Sequence, residues 1–316
     1  MKKKPLELVF EAMYHGKYDF ADFVAGDISR NYELIELKDR NLFKPNKRLK
    51  AYHSLLNLFL FEYLQTNEQV VFSYRKGTNV HDAVSRHANN RYFFQSDFSD
   101  FFHSLTSAFI RTTIVDSLDR SPLSDVDHYI DRIVDLVTVE GTMPIGFSTS
   151  PLISNACLFH FDNALLAYCL ERGLTYTRYS DDLIVSSDSK ESLQNIHLQI
   201  ESIAAECFGD ELKINESKSK YSSRGNKIKL LGMVILPNGK VSVDMKLKKN
   251  VEVLLHFYLR DRQKFLELVE GDLKAGLEKI SGYLNYINTV DQAYLDKLRK
   301  KYGLTIVDMF IHKSAK

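Results

Sequence analysis

The chain has 316 residues, of which 44% are hydrophobic and 26% are charged, and its formal net charge is only +1. This composition predicts a large apolar core in one lobed domain or in two or three subdomains, and the lack of any apolar run of about 18 residues argues against a membrane-spanning helix. Three scattered cysteines, with no zinc-ligand spacing and no signal peptide, indicate the reducing environment of a cytoplasmic protein.

Helical and strand patterns alternate along the chain. The first half predicts an apolar helix over 50–66, a buried strand over 91–97, helices over about 104–118 and 129–139, and a long helix over 149–172. The second half predicts a hairpin over 176–186, a helix from a capping box at Asp188 and Glu191 to about Cys207, a short strand over 212–214, and strands 229–236 and 240–243 paired across Asn238-Gly239. About 70 helical residues follow.

The order of these elements predicts an α+β fold. From 91 to 214 it is β-α-β-β-α-β, the split βαβ arrangement of ferredoxin-like folds. In that arrangement the first strand lies beside the central hairpin, about 4.8 Å away. Asp97 ends the first strand, and Asp181 and Asp182 lie at the tip of the hairpin. We therefore expect these three carboxylates to lie close together.

Three converging carboxylates predict a site for two Mg²⁺ ions, because Mg²⁺ prefers carboxylate oxygens together with water and substrate phosphates. Two such ions activate an attacking 3′-hydroxyl and stabilise a leaving pyrophosphate, which is the chemistry of nucleotidyl transfer. We expect Asp97 and Asp181 to bridge both ions and Asp182 to support them. The competing interpretation is three unrelated surface acids, but Asp97 ends an apolar and aromatic run in which an unpaired acid would be costly.

Five segments, in this order, resemble the motifs of bacterial retron-type reverse transcriptases: Phe94–Phe102, Met143–Asn155, Tyr176–Asp182, Asn215–Lys218 and Leu230–Gly232. The resemblance covers nearly the whole chain. It implies a right-hand polymerase with fingers at 1–90 and part of 104–150, a ferredoxin-like palm at 91–228, and a primer grip and helical thumb at 229–316.

The resemblance also implies a role for individual side chains. The catalytic metal ligands would be Asp97, Asp181 and Asp182. Nucleotide binding would fall to Arg40, Asp100, Phe101, Phe102, Gly146 and Lys218. Contacts with primer and template would fall to Tyr179, Leu231, Gly232, Lys246, Lys248 and Lys249. In this scheme the Phe102 ring is a steric gate that leaves no room for a 2′-hydroxyl, and the Arg40 guanidinium binds phosphate in bidentate fashion.

A structural explanation competes with several of these roles. Phe102 is also a plausible core residue, and Tyr179 a plausible cross-strand packing residue. Lys218 is equally well explained as a solvated lysine, and the turn after Gly146 as an ordinary helix cap followed by proline. The chain also departs from the family pattern, because Ile145 stands where many reverse transcriptases have Gln.

The implied activity is an RNA-directed DNA polymerase that uses dNTPs and Mg²⁺ to copy a dedicated noncoding RNA into DNA in the bacterial cytoplasm, in defence against phage. A toxin or effector protein, or a second reverse transcriptase, is a further candidate partner. One alternative is a defence-associated reverse transcriptase that makes repetitive or untemplated DNA. Another is a non-catalytic RNA-binding subunit, against which the three intact acids argue.

Overall fold

The computed structural model describes residues 3–37, 40–225 and 227–312, with the side chain of residue 312 left out. The chain forms a mixed α+β fold that divides into two compact units. The first unit is Met1–Asn79 with Phe94–Tyr221, and the second is Val80–Phe93 with Ser222–Lys316. None of the described helices is both long and apolar enough to cross a membrane.

Helices make up most of the regular structure. In chain order they are α1 (Leu6–Tyr14), α2 (Phe20–Ala25), α3 (Lys47–Phe59), α4 (Val80–Arg86), α5 (Ser107–Val115), α6 (Ile130–Val137), α7 (Ser150–Cys157), α8 (Phe159–Glu171), α9 (Ile196–Phe208), α10 (Met245–Arg260), α11 (Arg262–Leu268), α12 (Leu273–Val290), α13 (Gln292–Tyr302) and α14 (Leu304–His312). Short 3₁₀ turns lie at Phe61–Tyr63, Leu118–Arg120 and Val126–Tyr129.

The strands form three small sheets. They are β1 (Tyr32–Leu37), β2 (Arg40–Pro45), β3 (Tyr92–Ser96), β4 (Thr175–Tyr179), β5 (Asp182–Ser187), β6 (Lys220–Ser223), β7 (Ile228–Leu230), β8 (Met233–Ile235) and β9 (Val241–Val243). The sheet orders are β1-β2, β4-β5-β3-β6 and β7-β8-β9. In the four-stranded sheet the first strand lies between the hairpin and the last strand, which is the neighbour relation that the split βαβ arrangement predicts.

Two of the expected helices have other limits in the structure. The helix expected over 149–172 is two helices, α7 and α8, which meet at Leu158 with ψ near 6°. Both helices are rich in apolar residues, and no Gly or Pro lies at the break between them. The sequence pattern therefore predicted one continuous helix. The capping box at Asp188 does not open α9, which begins at Ile196. Instead the Ser189 hydroxyl accepts from the Ser192 N–H and closes a separate turn.

Two of the expected strands were also wrong in detail. The strand expected over 212–214 is only a single bridge, Phe98 to Ile214, and the fourth strand of the sheet is β6. The strand expected over 229–236 is interrupted, because Leu231 and Gly232 have φ of 46° and 81° and form the turn between β7 and β8. A residue pair at positive φ suits a two-residue hairpin turn.

Helix α10 of the second unit packs through an apolar stripe that ends before Leu259, which is exposed. Val251, Leu254 and Leu255 of α10 are buried, as their helical spacing predicts. The Tyr258 ring extends this stripe, with edge contacts to Phe265 at 5.5 Å and to Phe310 at 5.2 Å between ring centroids. Apolar burial of this kind, rather than helix propensity, supplies most of the stability of such helices.

Candidate active site

Asp97 follows directly after β3 and is held there by main-chain bonds. Its carbonyl accepts from the Asn215 N–H at 2.8 Å, and the Ser99 N–H donates to the Lys213 carbonyl at 2.8 Å. These bonds flank the antiparallel bridge between Phe98 and Ile214. The segment that ends in Lys218 is therefore fixed beside Asp97, although 121 positions separate the two residues.

The acid doublet lies at the tip of the β4–β5 hairpin. Tyr179 pairs with Asp182, which leaves Ser180 and Asp181 as a two-residue turn. Ser180 has a left-handed φ of 58°. Strand β5 starts at Asp182 and is the neighbour of β3, the strand that Asp97 follows.

The carboxylate of Asp97 is only half satisfied. The residue is 6% exposed, and its Oδ2 accepts from the Lys218 ammonium at 2.5 Å. Its Oδ1 is buried and has no hydrogen-bond partner among the described residues. The hydrogen bond and the charge of Asp97, with weaker contributions from Asp181 and Asp182, raise the pKa of Lys218. Lys218 is therefore a firmly protonated ammonium group among three carboxylates.

The charges of both other acids affect the pKa of Asp182. Asp182 as a whole is exposed, but its carboxyl group is partly shielded from water, and this desolvation raises the pKa of Asp182 to about 6. The charges of Asp181 and Asp97 raise this pKa further. Lys218 and Lys220 oppose the shift. Like charges close together disfavour ionisation of each other. The structure thus brings the three predicted carboxylates within electrostatic reach of one another.

The donor chemistry of this cluster fits a divalent cation. Mutually repelling carboxylates and a buried oxygen without a partner are groups that a cation would satisfy. The described residues nevertheless contain no three His, Cys, Asp or Glu side chains already arranged to hold a metal. The Lys218 ammonium takes the Asp97 oxygen that a cation would otherwise use.

Several residues that support the hairpin tip carry little signal in the sequence. The Ser73 hydroxyl accepts from the Ser180 N–H at 2.8 Å, and the exposed Tyr74 places its hydroxyl 3.2 Å from that of Ser180. Burial and the nearby Tyr74 raise the pKa of Tyr179. Neither Ser73 nor Tyr74 is singled out by the sequence analysis.

The three predicted nucleotide-binding residues at positions 100–102 differ sharply in exposure. Asp100 is exposed at φ 43°, and its carboxylate lies 2.7 Å from the His103 ring nitrogen. Phe101 is buried, stacked at 5.9 Å on Phe98, so that only its main chain is available to a ligand. Phe102 is half-buried and makes an edge contact with Phe101 at 5.3 Å. An aromatic face at the surface is therefore available only at Phe102 of this pair.

Gly146 lies against strand β2 of the first hairpin. The Phe43 N–H donates to the Ile145 carbonyl at 2.8 Å, a bond that needs no particular side chain at position 145. Gly146 has φ of 109°, and a Cβ there would lie 2.5 Å from the Phe43 carbonyl oxygen. The glycine thus permits close approach of β2, the strand on which Arg40 is exposed at the first position.

We expect Gly146→Ala to lower the free energy of unfolding by about 2 kcal/mol or more, because it adds a main-chain collision to a strained φ. The matched control is Gly173→Ala, at φ 63° with nothing within 4 Å of a new Cβ. This control introduces only the strain of a non-glycine residue at positive φ, which costs about 1 kcal/mol. Urea midpoints measure both. Equal shifts for the two variants would contradict the packing role.

The remaining predicted contacts lie in the second unit. Leu231 and Gly232 form the β7–β8 turn, and Lys246 and Lys249 are exposed on α10. The Lys248 side chain is only 19% exposed. Its ammonium donates to Asp291 at 3.0 Å and to the Ser242 hydroxyl at 2.8 Å. The Lys248 ammonium is thus already engaged inside the unit, unlike its exposed neighbour Lys249.

Comparison with known proteins shows which family the chain is similar to. The family model described as reverse transcriptase (RNA-dependent DNA polymerase) matches residues 38–235. The retron Ec83 reverse transcriptase of Escherichia coli is 23% identical, over 90% of this chain and 91% of that protein. The retron Ec73 reverse transcriptase of the same species is 27% identical, over 83% of each chain.

A solved structure is similar in fold. Telomerase from Candida albicans, determined with a fragment of telomeric RNA, superposes with a TM-score of 0.50 at 13% identity. The match covers 89% of this chain but only 59% of the telomerase chain. At this identity the likeness concerns the mixed α+β fold alone.

Proposed function

The chain belongs to the reverse transcriptase (RNA-dependent DNA polymerase) family and is of retron type, and on that premise we propose that Asp97, Asp181 and Asp182 form its polymerisation centre. As an RNA-directed DNA polymerase it takes an RNA template and yields a DNA product. The finer assignments that follow concern which residues do this and with what partners.

One observation carries the assignment of the centre. The four-stranded sheet places the strand before Asp97 next to the strand that begins at Asp182, and the charge of Asp97 contributes to the raised pKa of Asp182. The unpartnered Oδ1 of Asp97 adds a buried oxygen in need of a positive charge. Three unrelated surface acids would show neither feature.

Two Mg²⁺ ions bound by these carboxylates would activate the primer 3′-hydroxyl and stabilise the charge of the leaving pyrophosphate. Lys218, an ammonium beside Asp97, would stabilise the negative charge of the triphosphate and of the leaving pyrophosphate. Arg40 would bind phosphate from the exposed start of β2. The half-buried Phe102 ring would lie beneath the incoming sugar and exclude a 2′-hydroxyl.

We assign the polymerase subdomains as fingers at 1–90 with part of 104–150, palm at 91–228, and primer grip and thumb at 229–316. The four-stranded sheet in split βαβ order supports the palm. The predominantly helical second unit, whose larger segment starts at Ser222, supports the thumb. Residues 80–93 cluster with this second unit rather than with the first.

We infer that the template is a dedicated noncoding RNA and that the role is defence against phage, on the strength of the similarity to retron enzymes. The test is to purify the protein from cells that carry its own flanking DNA and to sequence the bound nucleic acid. DNA complementary to one structured RNA is the expected result. Heterogeneous DNA without an RNA counterpart would favour untemplated synthesis instead.

The neighbours Lys248 and Lys249 should respond differently to alanine. Lys249→Ala is expected to weaken RNA–DNA duplex binding and to reduce the slope of log Kd against log salt by about one, because an exposed ammonium neutralises one phosphate. Lys248→Ala is expected to lower the free energy of unfolding by about 1–3 kcal/mol, because it removes the nearer of two ammonium groups from the buried Asp291.

Fluorescence anisotropy at several KCl concentrations and urea unfolding separate the two effects. Both residues are lysines on the same helix, and they differ in that the Lys248 ammonium is hydrogen-bonded to Asp291 and Ser242 whereas Lys249 is exposed. If Lys248→Ala reduced the salt slope as much as Lys249→Ala, the structural role of Lys248 would be wrong.

A further inference from the structure

An arginine is completely buried beneath the acid doublet. Arg178 and Asp162 are both 0% exposed, and they form a bidentate pair with Nη2 to Oδ2 at 2.6 Å and Nε to Oδ1 at 2.9 Å. The Tyr176 hydroxyl donates to the same Asp162 Oδ1 at 2.8 Å. Desolvation of such a pair can exceed its Coulombic gain, and apolar residues of similar volume often stabilise a fold equally well. Stability alone is therefore a poor explanation for this pair.

The donors that Asp162 leaves free point to the hairpin tip. Arg178 Nη1 donates to the Ser180 carbonyl at 2.9 Å and to Asn155 Oδ1 at 3.1 Å. The N–H of Ser180 donates to the Ser73 hydroxyl at 2.8 Å. Both main-chain polar groups of the residue before Asp181 are thus held by buried side chains. This residue also has the left-handed φ, which costs about 1 kcal/mol without such support.

The side chains that hold Ser180 are themselves anchored. Asn155 Nδ2 donates to the Ser73 carbonyl at 2.8 Å, and the Ser73 hydroxyl lies 3.2 Å from Asn155 Oδ1. The segment before Ser73 runs beside β4, because the Phe72 N–H donates to the Arg178 carbonyl at 3.0 Å and the Arg178 N–H donates to the Val70 carbonyl at 2.8 Å. The network is closed on itself, from the edge of β4 to helix α7.

We propose that Arg178, held by Asp162, is a positioning residue that fixes the conformation of Ser180 so that Asp181 and Asp182 face Asp97. The inference rests on the proposed function of these three acids. Arg178 acts through the Ser180 carbonyl and does not itself reach substrate. Only a planar guanidinium supplies the fork to a carboxylate and a further donor to a carbonyl at the same time.

The first test separates positioning from stability. The double variant Arg178→Met with Asp162→Leu removes both charges and keeps an apolar core. We expect a folded protein with a lower free energy of unfolding, because the Tyr176 hydroxyl and the Ser180 carbonyl lose their partners. We also expect a kcat for primer extension at least about 10-fold lower, as is typical when support of metal ligands is lost, and a nearly unchanged KM for dNTP. A folded double variant with full kcat would overturn the proposal.

A less disruptive variant tests the positioning role of Arg178 even if the double variant fails to fold. Ser73→Ala removes the acceptor of the Ser180 N–H and leaves the ion pair in place. We expect faster hydrogen–deuterium exchange in the peptide that contains Ser180, together with a lower kcat. The control is Ser187→Ala, which removes a buried hydroxyl that accepts from the Ser189 N–H beyond the far end of β5. If exchange and kcat after Ser73→Ala matched those of Ser187→Ala, the proposal would fail.

Asp181→Asn in the same assays distinguishes this inference from its premise. If that variant still extends primers normally, the proposed centre is wrong. If that variant is inactive while the double variant and Ser73→Ala keep full kcat and native exchange, the centre stands and only the positioning role is refuted.

Discussion

Asp181→Asn is expected to reduce DNA synthesis by more than about 100-fold, the upper end of what is lost when a residue that only supports a metal ligand is removed. Asparagine keeps the shape of the side chain but removes the charge that attracts a cation. The turn itself should persist, because its main chain is held by Ser73 and Arg178 rather than by the Asp181 carboxylate. Primer extension on an RNA template measures the loss.

The control is Asp188→Asn, an exposed acid directly after β5 at the other end of the same hairpin. It should leave synthesis unchanged. Far-UV circular dichroism and retained RNA binding should show that both variants are folded. Normal incorporation by Asp181→Asn would remove this residue from the catalytic centre, whatever the behaviour of the control.

Phe102→Ala is expected to lower discrimination against ribonucleotides by about 10- to 100-fold, the range over which a pocket distinguishes substrates that differ by one small group. The half-buried ring makes its observed aromatic contact with Phe101, and the rest of it is available to a sugar. Its removal opens room for a 2′-hydroxyl without removing a charge. Competition between dNTP and NTP in primer extension reports the ratio of kcat/KM values.

Phe109→Ala serves as the matched control, because Phe109 is also half-buried and packs its ring edge-on against Phe208 at 5.3 Å. It should cost stability without a change in sugar preference. If Phe102→Ala leaves the preference as it was, Phe102 is a packing residue, which is the alternative that the sequence left open.

Local patterns were sufficient for the elements that matter most to the site. The hairpin with its acid doublet and the strand before Asp97 lie where runs of β-branched, aromatic and apolar residues predicted them. Both signals come from neighbours in the chain, so no distant contact is needed to read them. The same local logic failed at Asp188, where the capping pattern closes a turn and α9 begins only after Asn195, which has a left-handed φ of 61°.

Long-range contacts could not be inferred in this way. Lys218 meets Asp97 across 121 positions, and Ser73 meets Ser180 across 107. From the sequence, Lys218 is explained equally well as a nucleotide-binding residue and as a solvated lysine, its contact with Asp97 is not predicted, and Ser73 is not singled out.

The chain's linear order of residues was enough to place three acids on two neighbouring strands, to indicate magnesium chemistry and to suggest its family. Folding in three dimensions added the ammonium that pairs with Asp97, and the buried pair of Arg178 with Asp162 that holds the Ser180 carbonyl. The physical reason is that secondary structure is encoded within a few residues, whereas charge pairing depends on which surfaces the packed core brings together.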